Sequence, residues 1–277
     1  MGIALGANRY GKSGVHLVVV DRDAPQHTIT DWQIDIRLEG DFDAAHIHGD
    51  NRAVVPTDTM RGTVFAFART QPVGPPEDFG LRLARHFVAT IPSVTIATVR
   101  LRATPWVPIG EHPSAFTADA SVVRTAEVRV DSEGSHVTAG ITDLRIFKTS
   151  GSAFADFHTD DFTTLAPTDD RMMATVMTAE WGYGDTVIEW DASATAVRDI
   201  LLSQFATHDS ASLQHTLFAM GSAVLEQRPE ITDVHVLLPN VHHLLVDLTP
   251  YGLDNPNQVF VSTTEPYGVI EATVVRD

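Results

Sequence analysis

The chain contains no cysteine. That removes disulfides, thiolate metal sites and thiol nucleophiles together, and it fits a compartment that is reducing or indifferent to redox state. Lysine is almost missing as well: of 19 basic residues all but two are arginine, the exceptions being Lys12 and Lys148. Positive charge as a whole is scarce. With 36 acidic residues the formal net charge is -17, which opposes nonspecific attachment to nucleic acid or to anionic membranes. An anionic ligand would therefore have to be drawn to a few individual cations. No apolar run approaches the roughly eighteen residues of a membrane span, and the N-terminus lacks the charged and apolar regions of a secretory signal. A cytoplasmic setting is the expectation, with no membrane or nucleic-acid partner.

What is present suffices for a globular protein. The 277 residues, 43% of them hydrophobic, can bury a sizeable core and make one large domain or two of ordinary size. Residues 6–13 read Gly-Ala-Asn-Arg-Tyr-Gly-Lys-Ser and fit the phosphate-loop pattern G-x-x-x-x-G-K-[ST]. A working phosphate loop follows a buried strand and opens a helix, so that backbone N–H groups converge on the anion. Here only five residues precede the loop, and the following Val15-His16-Leu17-Val18-Val19-Val20 is β-branched and reads as a strand. The match is accidental on this reading, and its glycines shape a turn into the first strand. Lys12 remains of interest, because an ammonium can serve where a proton must be lost and a guanidinium cannot.

Periodicity predicts strands over 15–21 and 32–38, paired as a hairpin, then helices over 60–68 and from Pro75 to Ile91, then strands over 95–103 and 122–130. Thr57-Asp58 offers capping side chains to the first helix. The second half repeats the order: strands over 137–148 and 171–181, helices over 196–206 and 213–224, and strands over 234–238, 243–248, 258–262 and 269–275. The expected fold class is α+β, built of two tandem ββααββ units, 1–135 and 136–277. Each is an antiparallel four-stranded sheet with two helices on one face. Open edges of this kind pair or close, so a barrel-like oligomer is expected.

Several side chains carry both a plain and a chemical reading. His46-Ile47-His48, taken as a strand, puts two imidazoles on one side, and His242-His243 adds a pair. No spaced motif such as H-E-x-x-H accompanies them, so no metal site is expected. There is no G-x-S-x-G nucleophile elbow either. Thr57 can cap a helix, exchange protons with a neighbouring lysine, or do both. Arg171, in Thr168-Asp169-Asp170-Arg171, can pair with those aspartates or act as a bidentate fork for a planar anion. Gln214 is either solvated or reads a carbonyl and ring nitrogen, and Phe154 is either a loop anchor or a stacking platform.

Taken in order, Tyr10-Gly11-Lys12, Pro56-Thr57-Asp58-Thr59, Lys148-Thr149-Ser150-Gly151-Ser152-Ala153-Phe154, Asp170-Arg171, Ser212-Leu213-Gln214, Leu238-Pro239-Asn240-Val241-His242-His243 and Glu265-Pro266-Tyr267-Gly268 resemble motifs of the urate oxidase (uricase) family. The resemblance runs over nearly the whole chain. It implies the tunnelling fold, a homotetramer whose sheets close into a barrel, and active sites between subunits. It implies oxidation of urate by O2 to 5-hydroxyisourate and hydrogen peroxide, without metal or organic cofactor. By position it implies that Arg171 and Gln214 grip the urate edge, that Phe154 stacks on the purine, and that the Asp58 and Leu213 backbones complete the pocket. Lys12 and Thr57 are then the proton-transfer dyad, His242 completes the relay, and Asn240 faces the O2 site. Lys148 receives no chemical role, and a structural pairing with a carboxylate at a strand end is expected. The chain departs from the family pattern at Arg61-Gly62, usually Lys-Asn, and at Val241, usually Lys. These departures leave a second expectation open, a purine- or pterin-binding protein of the same fold with weakened or no activity. The Val-Val-Arg-Asp end lacks a Ser-Lys-Leu-type peroxisomal signal.

Overall fold

The computed structural model describes residues 2–119, 121–263 and 265–276. In chain order its elements are β1 (Tyr10–Asp21), β2 (Thr28–Gly40), α1 (Asp43–His48), α2 (Thr57–Thr70), α3 (Pro76–Thr90), β3 (Val94–Ala103), β4 (Trp106–Pro108), β5 (Phe116–Ala118), β6 (Val123–Val130), β7 (Ser135–Lys148), β8 (Met173–Tyr183), α4 (Trp190–Thr207), α5 (Leu213–Gln227), β9 (Ile231–Pro239), β10 (His242–Leu245), β11 (Phe260–Thr263) and β12 (Val269–Val275). They fall into two compact units. Unit 1 runs to Ile141 and includes Trp181–Ala194; unit 2 comprises Thr142–Glu180 and Thr195 onward.

In unit 1, β1, β2, β3 and β6 are neighbours in that order, each pair antiparallel. β2 shows why: Trp32, Ile34, Ile36 and Leu38 alternate inward and are buried, while the residues between them face out. Opposite them stand Ala97, Val99 and Leu101 of β3, in register with Leu38, Ile36 and Ile34. α3 lays Phe79, Leu83 and Phe87 on β3 and β6, and α2 places Met60 and Val64 in the same core. Each such side chain, fully buried, contributes about 1.5–3 kcal/mol. Gly80 sets the distance of α3 from the sheet, since a Cβ there would lie 2.8 Å from Val128 Cγ2 and 3.0 Å from Leu101 Cδ1.

Unit 1 also buries charge. Glu77, in the first turn of α3, has no exposed surface, and Arg124 of β6 donates Nη2 to Glu77 Oε2 at 2.7 Å and Nη1 to Asp191 at 2.5 Å. Burial pushes the Glu77 carboxyl above its ordinary value, against the pull of Arg124. Nearby, Trp181 Nε1 donates to the Tyr183 hydroxyl at 3.0 Å, and that hydroxyl reaches Ser193 at 3.2 Å.

In unit 2 the order is β7, β8, β9, β12, with β12 antiparallel to β9. α5 packs on β9 and β12 through Leu217, Met220 and Val224. Gly221 plays there the part of Gly80: a Cβ would lie 2.6 Å from Val274 Cγ2. Two small hairpins, β4–β5 and β10–β11, form separate two-stranded sheets. The first was not expected, and the second takes 243–248 and 258–262 away from the main sheet order.

Three local expectations are corrected. His46-Ile47-His48 is helical, the end of α1, because Gly49 adopts a left-handed conformation that closes the turn and His46 Nδ1 lies 3.0 Å from Phe42 O. Thr57 does not cap α2: Pro56 occupies the cap position, no side chain satisfies the N–H groups there, and Thr57 is the first helical residue. The glycines at 6 and 11 do not make a turn. Gly11 lies inside β1 opposite Arg37, where a Cβ would overlap Ile36 O at 1.8 Å, so the strand needs glycine for close backbone approach.

Candidate active site

Lys12 lies in strand β1 and opens no helix, so residues 6–13 lack the phosphate-loop arrangement. Lys12 instead sits at a β-bulge, where the register of β1 against β2 shifts between Lys12 and Val15. Gly14 takes φ +66 there, and its N–H donates to Asp35 Oδ1 at 2.7 Å. Arg37 braces the other side, donating to Ile36 O at 2.8 Å, to Lys12 O at 3.3 Å and to Ser13 Oγ at 2.5 Å. Bulges of this kind re-aim a side chain. Tyr10, two residues earlier and so on the same face as Lys12, accepts a hydrogen bond from Val55 N at 2.8 Å and meets Phe42 edge-on at 4.8 Å. Burial raises the Tyr10 phenol above its ordinary value. Val55 is two residues before Thr57, so this bond ties the start of β1 to the start of α2. Among the described residues Lys12 and Thr57 share no direct hydrogen bond. Asp58 pairs with Arg61 at 2.7 Å on the exposed side of α2, and no atom lies within 4 Å of a Cβ built on Gly62.

Unit 2 gathers the remaining candidates. Asp170 Oδ1 accepts from Gly151 N at 2.6 Å and Ser152 N at 3.3 Å, and Arg171 N donates to Ser152 O at 2.7 Å. Phe154 and Thr168 exchange backbone hydrogen bonds at 2.8 and 2.9 Å. The loop therefore closes on itself and carries Arg171 Cζ over the Phe154 ring, 4.9 Å from its centre. Phe157 stacks on Phe154 at 4.9 Å. The aspartates next to Arg171 do not pair with it: Asp170 is taken by backbone N–H groups, and among the described residues no carboxylate bridges the guanidinium. Burial pushes Arg171 below its ordinary value, though a guanidinium remains charged at any physiological pH.

The same loop is bonded to the start of α5. Ala153 N donates to Ser210 O at 2.7 Å, Ser210 N to Gly151 O at 3.1 Å, and Ser212 Oγ caps α5 by accepting from His215 N at 3.1 Å. Leu213 is buried and Gln214, beside it, is exposed. On the other side, Thr175 of β8 bridges to Asn240, and Thr175 Oγ1 donates to Pro239 O at 2.8 Å. Asn240 Nδ2 and His242 Nδ1 lie 3.4 Å apart. Arg171, Asn240, Val241 and His242 thus line one wall of a pocket of about 550 Å³, with Leu165 and Phe260 adding apolar surface. That volume lies within the range of small-molecule sites. A cleft of about 600 Å³ between the β1–β2 turn and the end of α2 holds none of the candidate residues.

Lys148 departs from its expected role. Its ammonium meets a backbone carbonyl, His208 O at 2.6 Å, rather than a carboxylate. Among the described residues no group of three His, Cys, Asp or Glu is disposed to hold a metal ion, and no helix is long and apolar enough to cross a membrane. Sequence reasoning missed Arg37, Asp35 and Tyr10 as supports of Lys12, and His208 and His215 near Gln214. Tyr10 lies in a motif quoted above, but its tie to Val55, like the roles of the others, is revealed by pairing alone.

The uricase family model matches residues 8–130 and 137–271. A curated uricase of Arthrobacter globiformis is 44% identical over 99% of this chain and 91% of its own length. One from Emericella nidulans is 32% identical over 98% and 97%. The crystal structure of the Arthrobacter globiformis uricase covers 100% of this chain and 96% of its own at 43% identity, with a TM-score of 0.97. With the order of its motifs, the paired units and these matches in hand, the chain belongs to the uricase family.

Proposed function

We propose that this protein oxidises urate with O2 to 5-hydroxyisourate and hydrogen peroxide. The observation that carries the reading is the unit 2 pocket, which a single guanidinium, Arg171, lines together with Asn240 and His242 while it lies over the Phe154 ring. In a chain of net charge -17 this local cation is what a planar anion needs. Arg171 and Gln214 grip the urate edge, Phe154 offers a stacking ring, and the Leu213 and Asp58 backbones complete the pocket.

Urate is an electron-rich, weakly acidic purine. Removing a further proton makes it a reductant able to give two electrons to O2. Lys12 and Thr57 take and return that proton, His242 relays it, and Asn240 faces the O2 and peroxide. Peroxide leaves with two protons, and water adds to the oxidised ring to give 5-hydroxyisourate. We assign no metal or organic cofactor to these steps.

The assembly we infer is a homotetramer with active sites between subunits, its sheets closing into a barrel, each chain a duplication of the ββααββ unit over 1–135 and 136–277. Two facts favour it. β1 pairs only with β2 and β12 only with β9 among the described residues, which leaves two open edges. Leu244 and Val261, partners across the β10–β11 hairpin, are 54% and 49% exposed. We place the protein in the cytoplasm.

The test is aerobic incubation of metal-free protein with urate, following loss of urate absorbance and appearance of peroxide. Stoichiometric peroxide is the expected result. Urate binding without peroxide, or turnover abolished by chelators, overturns the reading.

A further inference from the structure

The reaction leaves Lys148 without a task, yet it is one of only two lysines and is held in a defined place. Its Nζ donates to His208 O at 2.6 Å. His208 closes α4, its N–H donating to Gln204 O at 3.0 Å, so the ammonium sits at the negative end of the helix dipole. The lysine chain runs directly across Gly151: a Cβ on Gly151 would lie 3.0 Å from Lys148 Cε and 3.2 Å from Nζ. Gly151 opens the loop that carries Phe154 and ends at Arg171.

The His208 ring then turns to α5. His208 Nε2 and His215 Nδ1 lie 3.2 Å apart, with ring centres 4.3 Å apart. His215 is in the first turn of α5, and Leu213 and Gln214 lie between it and the Ser212 cap. We propose that Lys148, His208 and His215 form a positioning cluster that locks the end of β7, the end of α4 and the first turn of α5 together, and so fixes Gln214 beside the Phe154–Arg171 loop. The inference rests on the urate reading and names the groups that hold its substrate-edge residue in place.

The cluster has a built-in acid limit. One N–H···N bond joins two neutral imidazoles, and it survives one added proton because an imidazolium still donates to a neutral ring. A second proton sets two donors face to face beside the Lys148 ammonium. The charged or titratable groups around His208 are His215 from α5, Lys148 from β7 and Asp209 next in the chain. Burial, His215 and Lys148 hold His208 below its ordinary value, and Asp209 pulls the other way. That lowering favours the neutral His208 ring, which keeps the contact with His215, and loss of that contact on acidification loosens Gln214 and raises KM.

The experiment is urate kinetics between about pH 5.5 and 9, with melting curves, for the wild type, Lys148→Met, His215→Ala and His215→Gln. The ionisation of urate is common to all four and cancels in ratios. Lys148→Met and His215→Ala are expected to raise KM roughly tenfold with kcat changed less than about twofold. Lys148→Met moves the acid-side rise in KM to higher pH, since a repelling charge is gone and His208 takes up its proton sooner. His215→Gln keeps an amide partner for His208, so it holds KM near wild type at neutral pH and blunts the acid-side rise. Unchanged KM in both Lys148→Met and His215→Ala overturns the proposal, as does a loss of melting temperature with a flat KM ratio across pH. If Lys148→Met does not fold, the two His215 variants decide alone. Wild type that fails to consume urate overturns the functional reading instead, a result visible before any variant is made.

Discussion

At the scale of single residues, cations are scarce, and Lys12, Lys148 and Arg171 each have a defined setting. Lys12 is placed by a bulge that Gly14 permits and that Arg37 and Asp35 brace, so its side chain is aimed by backbone geometry. If it moves the proton, Lys12→Met lowers kcat by about a hundredfold or more while KM for urate changes little. Steady-state kinetics separate this from a binding role, in which affinity would be lost along with turnover and KM would rise. Arg171→Ala is expected to do the opposite, raising KM between about tenfold and a hundredfold through loss of charge-assisted hydrogen bonds. An unchanged KM takes Arg171 out of the pocket. Both positions stand out in the sequence as candidates because lysine is rare and the motifs flank them. The braces were not, since nothing in a lone Asp35 or Arg37 announces a partner on the neighbouring strand.

At the scale of elements, two helices sit close to their sheets because each carries a glycine at the contact, Gly80 in α3 and Gly221 in α5. Alanine favours helix by up to about 1 kcal/mol over glycine. A methyl at 2.6–2.8 Å from a valine side chain must nevertheless push helix from sheet, at a cost of about 1–3 kcal/mol. Gly80→Ala and Gly221→Ala should therefore each lower the denaturation midpoint, and a rise in either would mean the helix can shift freely. The buried Glu77, paired with Arg124, makes a sharper case. Removing its cation in Arg124→Met leaves a carboxylate buried and unpaired, costing about 3–5 kcal/mol. Without Arg124 the already raised Glu77 pKa climbs further, so the folded state holds that proton more tightly than the unfolded chain. Stability is then kept below the ordinary carboxylate range and lost as pH rises through the folded value. The variant should lose more melting temperature at about pH 8 than at about pH 5, and an equal loss at both would remove Glu77 as the cause.

At the scale of the whole molecule, the predicted assembly depends on apolar side chains that one chain leaves exposed. Leu244 stands opposite Val261 on the β10–β11 hairpin. Leu244→Asp should break a tetramer into smaller species and reduce turnover in the same proportion. Light scattering with parallel assays checks this, and full activity from a monomer would show that one chain makes a complete site. Strands over 243–248 and 258–262 are legible in the sequence, but their pairing as a separate hairpin is not. The β pattern was there, but an alternating run does not say which strand it will pair with.

The sequence by itself determined the alternation of strand and helix, the repeat of that order, the family, and which side chains are available for chemistry, because periodicity and motif spacing are local properties of the chain. It failed where a partner decides the outcome. Whether His46-Ile47-His48 is strand or helix turned on the left-handed Gly49, and the role of Gly11 on a carbonyl of the next strand. The partner of Lys148 turned on where α4 ends. Only the tertiary structure put Arg171 over Phe154 and His208 against His215. Contacts between residues distant in sequence depend on register and packing, and these are settled only when the elements meet.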